Sequence, residues 1–224
     1  MAAAAIVLAG GDGTRLRSLT RLLAGDDRPK QFCALLGAET LLDQTRRRAA
    51  RLIAPEHTLL SVTSTHAPYY RSVLADVPRE NVVAQPCNRG TAPAILYALM
   101  RLRSDRRGAD AFVLLPSDHY VSDDAALMAR VEGAMEAVRA RPEIAVLLGI
   151  EPDRPEVEYG WIEPAELILG RWAWPLYRVR RFWGKPPLAD AERLMRHGCL
   201  WNSFVIVANP AVLEQRRTVW PCYR

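Results

Sequence analysis

The chain of 224 residues carries a formal net charge of +5, and its residues are 50% hydrophobic and 25% charged. That composition is typical of a globular protein and excludes disordered, collagen-like and fibrous classes. The sequence has no nucleic-acid-binding motif and no apolar run of the ~18–20 residues that cross a bilayer, so we expect neither nucleic acid nor a membrane as a partner.

The apolar pattern of the first 150 residues alternates between strands and helices. It predicts strands at 4–9, 57–62, 81–84, 111–115 and 144–150, and helices at 40–53, 67–76, 91–103 and about 124–140. Five strands separated by helices predict an α/β fold with a mostly parallel, Rossmann-like sheet flanked by helices. The first apolar run leads directly into a glycine loop, so we interpret it as a strand and not as a signal peptide.

The pattern changes after residue 150. We expect strands near 159–163, 176–183 and 203–208 and a helix at about 188–197. No linker is visible, so the simplest organisation is a single domain over 1–224, with a first half to about residue 120 and an elaborated second half from about 121. Four scattered cysteines without a C-x-x-C pair argue against a zinc site or a disulfide framework and favour a cytoplasmic protein.

Three polar clusters directly follow predicted strands. They are residues 10–15 after the first strand, 85–86 after the third and 116–119 after the fourth. Ligands of open parallel sheets bind beyond the carboxyl ends of the strands, so all three clusters are expected to face one crevice.

The first cluster has the chemistry of a phosphate-binding loop. Its glycines allow close backbone approach and exposed N–H groups, Arg15 can grip phosphates with two donors, and Lys30 follows fifteen residues later. The loop lacks the G-K-[ST] of a Walker A motif, and Leu16 replaces the third glycine of the dinucleotide fingerprint.

The basic residues comprise 28 arginines and two lysines, Lys30 and Lys185. A coding bias toward Arg and Ala explains the excess of arginine. Arg and Lys are not interchangeable where one compact ammonium must reach one oxygen, so both lysines are candidate site residues, although chance also accounts for two survivors.

Six ordered motifs resemble those of the sugar-phosphate nucleotidyltransferase family, most closely its mannose-1-phosphate guanylyltransferase branch. The matches are L-A-G-G-x-G-T-R-L at 8–16 followed by P-K-Q at 29–31, R-N-T-A-P-A at 89–94 with Gly90 for Asn, P-S-D-H at 116–119, Y-G-Y-I-E at 159–163 with Trp161 for the second Tyr, F-x-E-K-P at 182–186 with Gly184 for Glu, and W-N-S at 201–203. The resemblance covers about residues 4–208 and implies a nucleotide-diphospho-sugar transferase fold.

The resemblance also implies the reaction and the residues that perform it. GTP and mannose 1-phosphate would give GDP-mannose and pyrophosphate, with Arg15, Lys30 and Asp118 as catalytic residues and Asp118 as the Mg²⁺ ligand. The nucleotide-binding residues would be Leu8, Ala9, Gly10, Gly11, Gly13, Thr14, Arg15, Gln85, Arg89, Thr91 and Ala92. The sugar phosphate would contact Gly160, Lys185 and Asn202, and a homodimer is left open.

Several candidate residues have structural alternatives. His119 is expected to be a hydrogen-bonding residue and not a base, and Cys87 is not expected to be a catalytic thiol. Gln85 and Asn202 are also compatible with a surface amide and a backbone-capping amide. The tryptophans at 161, 183 and 201 suit either the core or a wall of the sugar site.

Two departures from the family pattern bear on activity. Gly184 stands where the family has a Glu that accepts hydrogen bonds from sugar hydroxyls. The family's second metal-binding Asp has no counterpart after Asn202, where Glu214 is the sole acidic residue, and the chain is expected to be C-terminally truncated. A relative acting on another nucleotide or sugar and a catalytically impaired nucleotide-binding paralogue therefore stay as alternatives.

Overall fold

The computed structural model describes residues 3–35, 37–104, 109–170 and 173–215. Its strands are β1 (Ala3–Leu8), β2 (Thr58–Thr63), β3 (Val82–Gln85), β4 (Ala111–Pro116), β5 (Ala145–Ile150), β6 (Gly160–Leu167), β7 (Tyr177–Gly184) and β8 (Leu200–Ala208). Its α-helices are α1 (Arg17–Ala24), α2 (Leu41–Ala49), α3 (Ala67–Tyr70), α4 (Thr91–Ser104), α5 (Asp124–Ala140), α6 (Leu188–Arg196) and α7 (Pro210–Gln215).

All eight strands belong to one sheet, in the order β3-β2-β1-β4-β8-β6-β7, with β5 paired to β8. The strands β1 to β4 pair in parallel, whereas β8 is antiparallel to both β4 and β5. The strand β5 therefore runs in the same direction as β4, but the antiparallel β8 is its hydrogen-bonding partner. The α/β class and the mostly parallel central sheet are confirmed.

The sheet separates two hydrophobic clusters. Alternation along β1 sends Ala5 and Val7 to a cluster with α2 and α5, and Ala4 and Ile6 to a cluster with α4. Successive strand residues point to opposite faces, so one apolar run supplies both layers. A third, smaller cluster joins β6, β8 and α6 through Trp161, Trp201 and Leu194, among others.

Two predicted helices are shorter in the structure: the one over 40–53 ends at Ala49, and the one over 67–76 ends at Tyr70. After Tyr70 the backbone continues in turns, where Leu74 N–H bonds four residues back but Ala75 N–H bonds three residues back. The helix α1 was not predicted, although Leu19, Leu22 and Leu23 recur at helical spacing. In the structure these leucines are exposed, and Thr20 is the buried residue of the helix.

Candidate functional site

The glycine loop after β1 is held by side chains from outside it. The buried Gln31 amide donates hydrogen bonds to the carbonyls of Ala9 (3.0 Å) and Gly11 (2.8 Å), and the Thr63 hydroxyl donates to Gly10 O (2.9 Å). These contacts satisfy loop carbonyls that the sheet does not pair. Gln31 is therefore a positioning residue that the sequence analysis did not single out, although it is the last residue of the P-K-Q motif.

At two positions of the loop, close packing leaves room for glycine but not for a larger residue. A Cβ on Gly10 would lie 2.9 Å from Thr63 Oγ1 and 3.4 Å from Gln85 Nε2. Gly13 has φ of +60°, and a Cβ there would lie 3.0 Å from the backbone nitrogen of Lys30. Small residues at these positions bring the loop against Gln85 and Lys30, as the predicted shared crevice requires.

Asp118 and Lys30 form the charged pair at the end of β4. The Nζ atom of Lys30 lies 3.0 Å from Asp118 Oδ2, and neither side chain is fully buried. Ser117 ties this corner to β1, since its backbone N–H and its hydroxyl both donate to Leu8 O. Two segments 88 positions apart in the sequence thus place a cation and a carboxylate side by side.

The neighbour His119 lies beside the Asp118 carboxylate. Its Nε2 lies 3.5 Å from Asp118 Oδ1. Partial burial lowers the pKa of His119, and the Asp118 carboxylate opposes that shift. The lowered pKa favours a neutral imidazole at neutral pH, which suits a donor or acceptor.

The turn before α4 is joined to the glycine loop. Asn88 Nδ2 donates to Asp12 Oδ2 (2.8 Å), and Asn88 Oδ1 accepts from the N–H of Gly90 (2.9 Å). The opposite oxygen of Asp12 lies 3.1 Å from Nε2 of the buried His66. These contacts hold together the two segments that were predicted to bind nucleotide, and Asp12, His66 and Asn88 were not anticipated.

The other residues that were predicted to bind nucleotide lie in or beside these two segments. Leu8 ends β1, Ala9 is buried beneath the loop, and Thr14 and Arg15 begin the 3₁₀ turn after Gly13. Arg89 precedes the glycine with φ of +90° at position 90, and Thr91 and Ala92 begin α4. The N-terminus of α4 is thus connected to the glycine loop through the Asn88–Asp12 hydrogen bond.

The second half supplies three predicted residues from three strands. Gly160 pairs with Gly184, the residue before Lys185, and a Cβ on Gly160 would lie 3.7 Å from Asn202 Cβ. Asn202 Oδ1 accepts from the N–H of Phe204, whose φ is +61°. Asn202 therefore caps backbone, as one interpretation held, and its Nδ2 donor lies on the Gly160 side.

Glu158 connects the two halves. Its Oε2 atom accepts from Arg15 Nη1 at 2.9 Å and from Lys185 Nζ at 3.1 Å. Sequence analysis missed this residue, which lies two positions before the glycine of the Y-G motif. The structure thus brings Arg15 next to Lys185, two cations predicted to bind different substrates.

Two of the three tryptophans that were expected either in the core or at a wall of the sugar site lie in the core. Trp161 and Trp201 are buried and stack edge to face. Trp183 is partly exposed, and its Nε1 donates to Glu163 Oε2 (3.0 Å). It borders a groove of about 610 Å³ that also contacts Gly184, Lys185 and Asp190. Trp183 is therefore the one of the three tryptophans that is open to a ligand.

The described cysteines differ in exposure. Cys87 is exposed, while burial raises the pKa of the Cys33 and Cys199 thiols.

Within the described ranges, no group of three or more His, Cys, Asp or Glu side chains could hold a metal ion. Asp118 is thus a single carboxylate, which suits Mg²⁺ only if phosphate oxygens complete the coordination. No helix in the described part of the chain is long and apolar enough to cross a membrane.

Comparisons with known proteins show which family and which proteins this chain resembles. The profile of the nucleotidyl transferase family matches residues 4–218. The xanthan biosynthesis protein XanB of Xanthomonas campestris is 36% identical over 96% of this chain, and the mannose-1-phosphate guanylyltransferase of Escherichia coli is 33% identical over 88% of it. A solved mannose-1-phosphate geranyltransferase from Thermus thermophilus is 36% identical, with a TM-score of 0.83 over 97% of this chain and 61% of its own.

The curated relatives are much longer than the sequence described above. The matched region is 44% of the Xanthomonas protein and 41% of the Escherichia coli enzyme. The chain therefore spans less than half the length of the curated relatives it matches.

Proposed function

Because the chain belongs to the nucleotidyl transferase family, we propose that it performs the guanylyltransferase reaction: GTP and mannose 1-phosphate give GDP-mannose and pyrophosphate. The observation that carries the proposal is the convergence of Arg15, Lys30 and Asp118 around the glycine loop, with Lys185 linked to Arg15 through Glu158. Mannose-1-phosphate guanylyltransferases among the relatives favour these two substrates.

The reaction is a displacement at phosphorus. An oxygen of the sugar phosphate forms a bond to the α-phosphorus of GTP, and the bond from that phosphorus to the bridging β-oxygen breaks, so pyrophosphate leaves with the electron pair. The protein needs no covalent intermediate. Its contribution is alignment and charge stabilisation by groups that are already in place.

The first half holds the nucleotide. Arg15 binds the phosphates that leave, and Lys30 places its ammonium on the α-phosphate, where charge rises in the transition state. Lys30 is 3.0 Å from Asp118, which fixes its position before substrate arrives. The buried Gln85 amide, next to the Gly10 backbone, is suited to hydrogen-bond the edge of the base.

Asp118 is the residue that would hold Mg²⁺, together with phosphate oxygens of GTP. The ion would neutralise phosphate charge when bound. Asp118 is exposed enough to reach a ligand, with 39% of its side chain accessible, and lies at the same strand end as the glycine loop.

The second half binds the sugar phosphate. Lys185 binds its phosphate, and Gly160 and Asn202 line the approach to it. Gly184 has open space around its Cβ position, so this site offers backbone and not a carboxylate to the sugar hydroxyls. That open space favours a second candidate: a protein that binds nucleotide and turns over slowly.

Pyrophosphate release with purified protein tests both candidates. GTP, ATP, CTP and dTTP are each supplied with Mg²⁺ and mannose 1-phosphate or glucose 1-phosphate. The proposal requires the pair GTP and mannose 1-phosphate to be preferred. Preference for another pair contradicts the substrate assignment, and binding without release supports the second candidate.

Binding is measured separately by thermal shift. GTP raises the melting temperature in a dose-dependent way, because it binds the folded state only. Arg15→Ala removes most of that shift, while Arg17→Ala, an exposed arginine two residues along, is the matched control. If none of the four nucleotides moves the melting curve, nucleotide binding is wrong.

A further inference from the structure

One carboxylate stands between two cations that the proposed function assigns to different phosphates. Glu158 Oε2 accepts from Arg15 Nη1 at 2.9 Å and from Lys185 Nζ at 3.1 Å. The three side chains come from the loop after β1, the segment before β6 and the end of β7. Their accessible fractions are 70% for Arg15 and 54% for each of the other two, so a soluble anion can reach both cations.

The Glu158 oxygen occupies the position that a phosphate oxygen would take. A phosphate that binds Arg15 needs an oxygen within about 3 Å of its guanidinium, and one that binds Lys185 needs the same distance to its ammonium. Like charges at that distance repel, and each contact with Glu158 occupies one donor of the cation and draws the cation toward the carboxylate. Phosphate therefore binds either cation more tightly when the Glu158 carboxylate has turned away.

We propose that Glu158 is an internal competitor for the substrate phosphates, which holds Arg15 and Lys185 together until a phosphate replaces it. The proposal rests on the proposed function for the roles of the two cations. It adds a residue that sets the phosphate affinity of both sites through its contacts with Arg15 and Lys185.

The shared oxygen couples the two sites. The same atom makes both contacts, so a phosphate that displaces Glu158 from Arg15 also removes it from Lys185. The first substrate to bind must displace Glu158, which lowers its affinity. The second substrate then finds its cation already free of Glu158. By linkage, the gain is the same whichever substrate binds first.

Glu158→Gln tests the competition, because the amide keeps the shape of the side chain and loses its charge. The probe is inorganic pyrophosphate, titrated by calorimetry in metal-free buffer so that no ion bridges the carboxylate. We expect Kd to fall about two- to fivefold, the range that an exposed ion pair supplies, and the gain to shrink at high salt. Asp153→Asn removes one exposed charge from the same segment and is the matched control.

Arg15→Ala separates this effect from a change in overall charge. In that background, Glu158→Gln should improve pyrophosphate binding less than it does with Arg15 present, because one contact is already gone. A gain of the same size in both backgrounds overturns the proposal. So does a Glu158→Gln variant that binds pyrophosphate no better than the wild type, or an equal gain from Asp153→Asn.

The coupling is tested with the two substrates. In the wild type, saturating mannose 1-phosphate should tighten GTP binding relative to its effect in Glu158→Gln, where only repulsion between phosphates remains. Equal coupling in the two proteins contradicts the shared-oxygen argument. Failure of the wild type to prefer GTP contradicts the proposed function alone, since the pyrophosphate titration still decides the role of Glu158.

Discussion

The two halves of the chain are packed differently, although their strands share one sheet. Every residue of β2 is buried, and β4 is buried at all but its last position. In contrast, β7 at the sheet edge is exposed at all positions except Trp183. The first half therefore has helices on both faces of its strands, whereas both faces of β7 in the second half are exposed.

The site residues follow the same division. Lys30 and Asp118 both belong to the first half: Asp118 follows the buried strand β4, and Lys30 begins the 3₁₀ turn Lys30–Phe32 beside it. Lys185 follows the exposed strand β7, and Glu158 joins it to the first half. Groups that stabilise a transition state gain most from rigid placement, so the first half is suited to chemistry and the second to binding of the acceptor.

Substitution of one phenylalanine in each half measures the packing difference as a loss of stability. Phe112 in β4 is fully buried, whereas Phe182 in β7 is 44% exposed. We expect Phe112→Ala to lower the free energy of unfolding by about 3–5 kcal/mol, because it leaves a core cavity. Phe182→Ala should cost about 0.5 kcal/mol or less, as a surface substitution.

Urea denaturation of the intact protein provides both values. If Phe112→Ala does not fold, Phe112→Leu gives a smaller cavity and keeps the comparison measurable. A large loss of unfolding free energy from Phe182→Ala would show that the face of β7 carrying Phe182 is covered in solution.

The two lysines test whether chemistry and binding divide between the halves. Lys30→Arg should lower kcat by about 100-fold or more, since a bulkier guanidinium cannot reproduce a preorganised ammonium. Lys185→Arg should chiefly raise KM for mannose 1-phosphate, by about two- to fivefold, because charge is kept at an exposed site. Steady-state kinetics with each substrate varied separates the two outcomes, and near-native kcat in Lys30→Arg would reduce Lys30 to a surface charge.

The packing difference also explains what the sequence could predict. Strands buried on both faces appear as continuous apolar runs, so β2 and β4 were predicted to within one residue at each end. The strand β8 alternates buried and partly exposed residues, and its first three positions, which include Asn202, were not assigned to it. The pairing of β5 with β8 depends on contacts 50 or more residues apart, which no local pattern encodes.

The candidate site shows the same limit. Motifs led to Lys30 and Asp118, and the polar ends of β1, β3 and β4 predicted that Asp118 would face the glycine loop. The contact of Lys30 with Asp118 was not predicted and comes from the structure. Glu158 and His66 act through partners 27 or more positions away in the chain and have no motif of their own. A sequence shows which residue types suit a ligand, but not which other residues hold them in place.

Substitutions of two adjacent glycines in the glycine loop show whether close packing or chain flexibility determines the role of each. A Cβ on Gly10 would lie 2.9 Å from Thr63 Oγ1, whereas nothing lies within 4 Å of a Cβ on Gly11. Gly10→Ala should cost about 1–3 kcal/mol of stability through overpacking and weaken GTP binding. Gly11→Ala should be neutral or slightly stabilising, since it restricts the unfolded chain. Equal thermal shifts with GTP for the two variants would show that the loop adapts.

The cysteines test whether the second half also opens more readily. Cys33 follows Phe32 of the large cluster, whereas Cys199 belongs to a small cluster of five buried residues; both are buried. Burial raises the pKa of both thiols, so a smaller fraction is thiolate at a given pH, and reaction with an alkylating reagent requires local opening. We expect exposed Cys87 to react faster than either by about tenfold or more, and Cys199 to react faster than Cys33, because a smaller cluster opens at a lower free energy. Cys222 lies outside the described residues, so the measurement uses a Cys222→Ser background and follows each thiol by peptide mass spectrometry over time. If Cys33 reacts as fast as Cys199, the two halves open together, and the division between them concerns exposure and not local stability.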